Sequence, residues 1–384
     1  MVRVVGIDPG TASFDIVLLD DGYIVGEKSI PTPDVARDAE LVLEAMRELG
    51  KVDAIAGPSG YGVPVTWNKE IVDPRKFAVE VLLLSTEEQL ARGMAAGEIG
   101  VMVYQALAQV VVEFWREKLP VVYIPSVILL PTVPFHRKLG RLDMGTADKM
   151  ALTLLGIHTY SRDNGVDPRQ TNFIVVEMGY GYNAITVVKK GRIVDGLGGT
   201  MCCKGFLTQG PIDIEHVILG GEWDRSDVFH GGVATVASIE DPLAVWKEWM
   251  KGKEPAYSIV ESALEDLSRA VYGMSKLHDI RTILLSGRLS RVNEVRSSVL
   301  ERLSELNVKP LGLLDGAKIS KEAAQGYALV ADGLLGGRYS HIVFLNQLAE
   351  ARGTVVDYAI HPRLVPAKQR IRNAYKSSVR TPKL

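Results

Sequence analysis

The stretch that decides the fold lies at the start of the chain and reads Val4-Val5-Gly6-Ile7-Asp8-Pro9-Gly10-Thr11-Ala12. It predicts a buried strand that ends in an acidic turn containing glycine. A second apolar strand follows at residues 14–19, and Asp21-Gly22 then predicts a hairpin turn, because glycine tolerates the positive φ that such turns need. Residues 23–26 continue as a third strand. The chain is therefore predicted to open with a β-meander.

The same pattern recurs 169 residues later, where the chain reads Ile174-Val175-Val176-Glu177-Met178-Gly179-Tyr180-Gly181. A second strand at 184–188, a turn at Lys190-Gly191 and a third strand at 192–195 complete the copy. The acid, the glycine after it and the turn glycine coincide in both copies. Two unrelated hairpins that happen to align are the simpler alternative, since hairpin signals are common. Three matches at one offset instead favour an internal repeat.

Helical and strand patterns follow each copy and favour an α/β architecture. Residues 36–49 predict a helix and 52–57 a buried strand with a glycine turn. After the second copy, 257–277 has helical periodicity and leads into the strand Thr282-Ile283-Leu284-Leu285-Ser286-Gly287. The apolar run 99–115 contains two Gln and one Glu, so we expect a buried core helix there and not a membrane span.

Length and composition indicate an ordinary globular protein of two lobes. The chain has 384 residues, 47% hydrophobic residues, 23% charged residues and a formal net charge of -2. Nothing in this balance indicates a nucleic-acid partner or a membrane. The two cysteines, Cys202 and Cys203, are adjacent, which disfavours a relaxed disulfide and favours a reducing compartment. No export signal is visible at the N-terminus, so we expect a cytoplasmic protein.

Both acidic turns have the chemistry that a nucleotide's phosphates require, which is closely approaching backbone amides and a carboxylate for Mg²⁺. In the first turn, Asp8 would face the metal, with Gly10, Thr11 and Ala12 near the phosphates. In the second turn, Glu177 is the acid, and Gly179 and Gly181 would lie near the phosphates. At the end of the later strand, Ser286, Gly287 and Arg288 would contact the base or ribose. Each motif alone is weak, and their order along the chain carries the prediction.

That order resembles the phosphate-1, phosphate-2 and adenosine elements of the actin-like and sugar-kinase superfamily, which includes acetate kinase. Within it, residues 1–338 look most like butyrate kinases. The opening Asp8-Pro9-Gly10-Thr11-Ala12-Ser13 is similar to that family's Asn-Pro-Gly-Ser-Thr-Ser turn. Residues 177–181 are similar to its His-Leu-Gly-Gly-Gly strand, and 322–328 to its Glu-rich helix start.

The resemblance implies an ATP-dependent phosphotransferase that uses Mg²⁺ and acts on a small molecule such as a short-chain carboxylate. It adds Glu322 to Asp8 and Glu177 as a metal residue. The implied fold is α/β, with two actin-like (ribonuclease H-like) lobes, each a mixed sheet with a β-meander, and a nucleotide cleft between them. The corresponding divisions are an N-terminal lobe at 1–170, a C-terminal lobe at 171–345 and a basic extension at 346–384.

Two departures leave the transfer chemistry open. The family's arginine after the second phosphate loop is absent from 208–215, where only Lys204 is near, and the family's central-loop Asp has no matching position. The polar segment 135–149 offers substitutes: Asp143 to orient or deprotonate the acceptor, and Arg141, Arg137 and His136 to act on the transferred group. The alternative is that Asp143 or Thr146 merely caps the helix starting near Ala147.

Other features leave alternatives open. The seven Lys or Arg residues and absence of acids in 362–384 indicate a solvated tail, or a segment that binds an acidic surface or another subunit. Tyr61, Trp67 and Asn68 would line an acceptor pocket or pack within their own loop. A homodimer is an alternative to a monomer. The competing functions are an actin-like, chaperone-like or dehydratase-activator ATPase switch and a nucleotide-binding protein without turnover.

Overall fold

A computed structural model describes residues 2–384, and it contains two mixed sheets of six and five strands. The strands of the first sheet are β1 (Arg3–Pro9), β2 (Ser13–Asp20), β3 (Tyr23–Pro31), β4 (Ala54–Ala56), β5 (Thr66–Trp67) and β6 (Val121–Tyr123). Those of the second sheet are β7 (Asn172–Met178), β8 (Asn183–Lys189), β9 (Arg192–Leu197), β10 (Thr282–Ser286) and β11 (Asn307–Pro310).

Helices flank both sheets. They are α1 (Thr32–Arg37), α2 (Glu40–Leu49), α3 (Pro74–Lys76), α4 (Glu87–Ala95), α5 (Ile99–Arg116), α6 (Phe135–Lys138), α7 (Ala147–Asn164), α8 (Ile214–Gly220), α9 (Val233–Ala237), α10 (Pro242–Met250), α11 (Ala256–His278), α12 (Asn293–Arg302), α13 (Glu322–Leu334), α14 (Ser340–Leu345) and α15 (Val365–Ser378).

The two sheets repeat one topology, which confirms the predicted duplication of the meander. The first sheet has the order β3-β2-β1-β4-β6-β5, and the second has β9-β8-β7-β10-β11 when read from its meander edge. In both, two strands join the meander in parallel. The match extends to irregularities, since the pairing register shifts between Leu18 and Leu19 and again between Val187 and Val188, which are equivalent positions.

A pair of helices joins the two sheets. Helix α7 precedes the second meander in the chain and packs on β7 and β8, whereas α13 follows the second sheet and packs on β1, β2 and β4. The two helices also pack against each other. Gly6 on β1 permits the close approach of α13, because a Cβ there would lie 2.2 Å from the Ala328 backbone nitrogen and 2.3 Å from the Ala324 carbonyl oxygen.

We expect Gly6→Ala to lower the free energy of unfolding by at least about 1–3 kcal/mol, because the added methyl meets helix backbone that cannot rotate away. Gly273→Ala is the matched control, since a Cβ at Gly273 has nothing within 4 Å and this glycine lies inside α11. That substitution should stabilise the protein by about 0.5–1 kcal/mol through helix propensity. Urea denaturation measures both changes, and equal midpoints for the two variants would contradict this packing.

Most predicted elements are confirmed, with one difference in the first helix. The helix predicted at 257–277 is α11, and the apolar run at 99–115 is α5, a helix packed in the first core. The helix predicted at 36–49 is instead α2 preceded by the separate helix α1, because Asp38 between them is extended with φ −146°. Within residues 2–384, every helix is too short or too polar to cross a bilayer.

The basic C-terminal segment folds onto the first lobe, so the expectation of a solvated tail is wrong. Helix α15 packs beside α3, and a β-bridge joins Val379 to Ile71. The buried side chains of α15 recur at helical spacing, and they are Ile371, Ala374, Tyr375 and Ser378. Its basic residues occupy other faces, where Arg370 pairs with Glu80 at 3.0 Å. The segment 362–384 therefore contains an amphipathic helix, although its many basic residues had suggested a solvated tail.

Candidate functional site

A cleft runs between the lobes and encloses about 1210 Å³, including the part open to solvent. It is lined at the carboxyl ends of β1, β7 and β10, where α/β sheets commonly bind ligands. Asp8 and Glu177, the acids of the two copies, both line it. The predicted convergence of the two acidic turns on one cavity is therefore present in the fold.

The first turn is held rigidly at the floor of the cleft. Thr32 donates its hydroxyl to the Gly10 carbonyl at 2.6 Å, and its backbone N–H to the Ala12 carbonyl at 3.1 Å. These bonds occupy the outward carbonyls of the turn. Thr11 and Ala12 line the cleft beside Gly10.

The second turn faces the first across the cleft. A Cβ on Gly181 would lie 3.4 Å from the Thr11 hydroxyl oxygen, so the two turns are in near contact. The Gly179 N–H donates to the Tyr182 carbonyl at 3.0 Å, and the Thr208 N–H donates to the Gly181 carbonyl at 3.2 Å. Because these bonds fix the loop, both turns present a preformed pair of walls to a ligand.

The third element closes one end of the cleft after β10. Gly287 adopts φ +92°, and a Cβ there would lie 2.4 Å from the Met178 carbonyl oxygen, so only glycine fits beside β7. Arg288 reaches across the lobes and donates to the Ser13 hydroxyl at 3.2 Å. The Ser286 hydroxyl is buried without a hydrogen-bond partner, which leaves a polar atom available to a ligand.

Two lysines that the sequence analysis did not select hold the carboxylates of the cleft. Lys149 Nζ lies 2.6 Å from Asp148 Oδ2 and 3.1 Å from Glu177 Oε2. Lys321 Nζ lies 2.7 Å from Asp15 Oδ2 and 3.7 Å from Asp8 Oδ2. Each copy of the acidic turn therefore has one partly buried ammonium group beside it.

The third predicted metal residue, Glu322, is the first residue of α13 and lines the same cleft. Its carboxylate pairs with Arg291 at 2.9 Å. The first turn of this 13-residue helix lines the cleft, and the free N–H groups of a helix N-terminus favour an anion nearby. Glu322 thus lines the same cleft as both acidic turns without joining either lysine pair.

Burial shifts the protonation of the acids in the cleft. It raises the pKa of Asp8 to about 7 and that of Asp143 to about 6. Burial also raises the pKa of Glu177, although the charge of Lys149 opposes the shift. For Lys149, burial acts to lower the pKa, but Asp148, Glu177 and Asp8 raise it above its usual value. The ammonium group therefore stays charged among the carboxylates.

The carboxylates suit a magnesium ion held with a ligand's phosphates. Within the chain from Val2 onward, no three His, Cys, Asp or Glu side chains form a ready-made metal cluster. Mg²⁺ in nucleotide sites is commonly held by only one or two carboxylates, with water and phosphate oxygens as its other ligands. Glu177 Oε2 is buried, and Lys149 Nζ lies 3.1 Å from it. Asp8 and Glu177 therefore fit such an ion.

The polar segment 135–149 divides between the cleft and the surface. Asp143 lines the cleft, where it accepts a hydrogen bond from the Gly145 N–H at 2.7 Å and packs against the loop at Gly198. His136 is exposed and Arg141 is partly exposed, both away from the cleft lining. Arg137 donates to the Val194 carbonyl at 2.8 Å on β9. Of the four predicted catalytic residues, the fold brings Asp143 alone to the cavity.

An aromatic end of the cleft holds further residues that the sequence analysis largely missed. Tyr61, named there as a candidate, lines it together with Tyr104, Tyr182 and Phe229. Arg225 lies behind these rings and donates to Tyr104 Oη at 2.8 Å and to Tyr61 Oη. By contrast, the other two candidates of that loop lie elsewhere: the Asn68 side chain donates to the Phe114 carbonyl at 2.8 Å, and Trp67 stands outside the cleft lining.

Solved structures that share this fold include acetate and propionate kinases. A propionate kinase from Francisella tularensis subsp. tularensis SCHU S4 aligns over 85% of this chain and 98% of its own, with 14% identity and a TM-score of 0.56. Acetate kinase from Porphyromonas gingivalis aligns over the same shares, with 13% identity and a TM-score of 0.55. Acetate kinase from Entamoeba histolytica covers 79% and 86%, with 13% identity and a TM-score of 0.50. The predicted actin-like ATPase fold is confirmed.

Sequence comparison identifies the family. No curated protein matches this sequence. A family model described as "Protein of unknown function (DUF1464)" matches residues 6–361, which is most of the 384-residue chain and includes every residue of the cleft discussed above. The chain therefore belongs to the DUF1464 family and carries the actin-like ATPase fold.

Proposed function

We propose that this protein is an ATP-dependent phosphotransferase that uses Mg²⁺ and transfers the γ-phosphoryl group to a small acceptor. One observation carries the proposal: the two duplicated acidic turns face each other across one cleft, with Thr11 and Gly181 in near contact and Asp8 and Glu177 both lining the cavity. Opposed loops of this kind supply backbone N–H groups to a polyphosphate from two sides.

In this proposal the nucleotide lies along the three elements. Backbone groups of Gly10, Thr11 and Ala12 and of Gly179 and Gly181 contact the phosphates, and Ser286, Gly287 and Arg288 contact the nucleoside. Asp8 and Glu177 would hold a magnesium ion, with Glu322 as a further acid of the same cleft, and the bound ion would neutralise phosphate charge. The buried Ser286 hydroxyl, which has no hydrogen-bond partner, supports its assignment.

The lysines supply the remaining positive charge. Phosphoryl transfer depends mainly on positioning and on stabilising the charge of the transferring group. Lys149 lies between Asp148 and Glu177, within the cleft. We assign its ammonium group to the transferring phosphoryl group, a role that the sequence analysis gave to Arg137, Arg141 and His136. Asp143 orients the acceptor.

Support for a carboxylate acceptor comes from the neighbours and from the cleft. Two of the structures with this fold are an acetate kinase and a propionate kinase. The aromatic end of the cleft also has aliphatic walls at Leu83, Val103 and Leu107, which suit a chain longer than that of acetate. We therefore propose a short-chain acid such as butyrate, in a cytoplasmic enzyme.

The decisive experiment measures ADP formation from Mg-ATP with a panel of short carboxylates and sugars. We expect turnover that requires an acid, and we expect Asp8→Ala to abolish it. ADP formation without any acceptor would instead identify an ATPase switch. Nucleotide binding without turnover under every condition would identify a non-enzymatic nucleotide-binding protein.

A further inference from the structure

The aromatic end of the cleft has a chemistry that the nucleotide does not use. We name it the tyrosine pocket and define it by Tyr61, Tyr104, Tyr182 and Phe229, with Arg225 behind the rings. Its residues come from both lobes, since Tyr61 and Tyr104 precede the second meander and the others follow β7. The pocket is contiguous with the cleft that contains Asp8 and Glu177.

Arg225 brings a positive charge to this pocket without a direct ion pair. Its guanidinium carbon lies 5.0 Å from the ring centre of Tyr61 and 5.3 Å from that of Tyr104. Throughout residues 2–384, no carboxylate lies within ion-pair distance of Arg225. Its Nε is buried without a hydrogen-bond partner. A half-buried guanidinium that makes no direct ion pair favours the arrival of an anion.

The hydroxyl groups in front of Arg225 are arranged to donate. Tyr61 and Tyr104 accept hydrogen bonds from Arg225, so each hydroxyl retains its own proton to give. The Tyr182 hydroxyl is buried and has no partner at all. An ionised carboxylate accepts hydrogen bonds and donates none, so it complements this set. The apolar walls at Val103 and Leu107 complement a short hydrocarbon body.

Arg225 lies on a segment of the second lobe that contacts the first lobe. This segment, residues 224–230, contacts the first lobe at three further points. Asp224 pairs with Arg92 at 2.7 Å, and His230 pairs with Glu98 at 3.0 Å. Phe229 packs so closely on Gly100 that a Cβ there would lie 2.1 Å from its ring. The pocket is therefore complete only when the lobes are joined by this segment.

We propose that the tyrosine pocket binds the head group of a short-chain monocarboxylate, and that Arg225 is the positioning residue that polarises its hydroxyls. The inference rests on the proposed phosphotransferase function. One carboxylate oxygen accepts from the hydroxyls, while the other attacks the γ-phosphorus. The new O–P bond forms as the bond from that phosphorus to the β–γ bridging oxygen breaks, and ADP leaves with the electron pair. A carboxylate gives up no proton in this step, so no general base is required.

Calorimetric titration of butyrate into the full-length protein saturated with Mg-ADP tests the pocket directly. We expect Arg225→Gln and Tyr182→Phe each to weaken butyrate binding about ten-fold or more, because each removes a donor or its polarising charge from an anion. Arg225→Lys should recover part of the loss. Mg-ADP affinity should stay unchanged in all three variants, which separates pocket chemistry from misfolding.

Arg92→Gln is the matched control, because Arg92 holds the same segment through Asp224 yet lies 64% exposed and outside the pocket. We expect its butyrate affinity to change less than about two-fold, as for other exposed ion pairs. Equal losses in Arg92→Gln and Arg225→Gln, or wild-type protein that binds no butyrate, would overturn the inference. If butyrate binds as expected but no ADP forms from Mg-ATP, the result contradicts the proposed phosphotransferase function and still supports the carboxylate-binding pocket.

Discussion

Lys149→Met is expected to lower kcat for the acid-dependent reaction by about 10²–10³-fold, the cost typical of removing one charge-stabilising donor from an active site. The reason is the position of its ammonium group, 2.6 Å from Asp148 Oδ2 and 3.1 Å from Glu177 Oε2 inside the cleft. Without it, Asp148 and Glu177 would lose the positive charge that lies between them. Steady-state kinetics with Mg-ATP and butyrate measures the effect.

The control for this prediction is Lys204→Met. Lys204 is the other partly buried lysine beside the second turn, and its Nζ pairs with Asp266 at 2.9 Å outside the cleft lining. The same loss of charge there should leave kcat within a few-fold of the wild-type value. Because Lys149→Met leaves two buried acids unpaired, its fold must be checked by circular dichroism. A well-folded Lys149→Met protein with wild-type kcat would remove Lys149 from the mechanism.

Asp8→Asn is expected to act on stability and on function in opposite directions. In the metal-free protein, burial raises the pKa of Asp8 from 3.8 to about 7. Between about pH 4 and pH 7 the folded state therefore binds more protons than the unfolded state, so this carboxyl lowers stability as pH rises. Asparagine removes the penalty, and the gain at pH 8 has an upper limit of about 4 kcal/mol.

The functional effect of Asp8→Asn should be loss of Mg-ATP binding, since a neutral amide is a poor ligand for Mg²⁺. Thermal melts across pH 4–8 measure the stability change, and calorimetry with Mg-ATP measures the binding. Ser13→Ala changes a nearby small polar residue and should leave the pH slope in place. If Asp8→Asn is less stable than wild type at pH 8, the buried acid is favourable and this electrostatic account is wrong.

The sequence predicted the duplicated meanders because their signals are local. In each copy the strand, the acid and the glycine turn lie within about twenty residues. The backbone hydrogen bonds of each meander join strands that are consecutive in the chain. The convergence of Asp8 and Glu177 was expected from the repeat, since both acids end the first strand of equivalent meanders, and both line one cleft. The structure adds that the register shifts also coincide.

The residues that the sequence did not predict depend on distant contacts. Arg225 meets Tyr104 and Tyr61, which lie 121 and 164 positions away, and no local pattern marks it. Lys149 was part of the polar segment singled out, but its charge partner Glu177 comes from another strand. The C-terminal helix had a local signal, because its apolar residues repeat at 371, 374, 375 and 378, but the density of positive charge obscured it.

The first lobe cannot finish folding during translation until helix α13, which covers β1, has been synthesised. Strand β1 emerges first, yet the face that includes Gly6 is covered by α13, which ends at Leu334. The first lobe therefore exposes apolar surface during translation until most of the chain has been made, and such nascent surfaces attract chaperones and aggregate readily. Truncated transcripts that stop before α13 should accordingly yield insoluble or chaperone-bound polypeptides, even when both meanders are present.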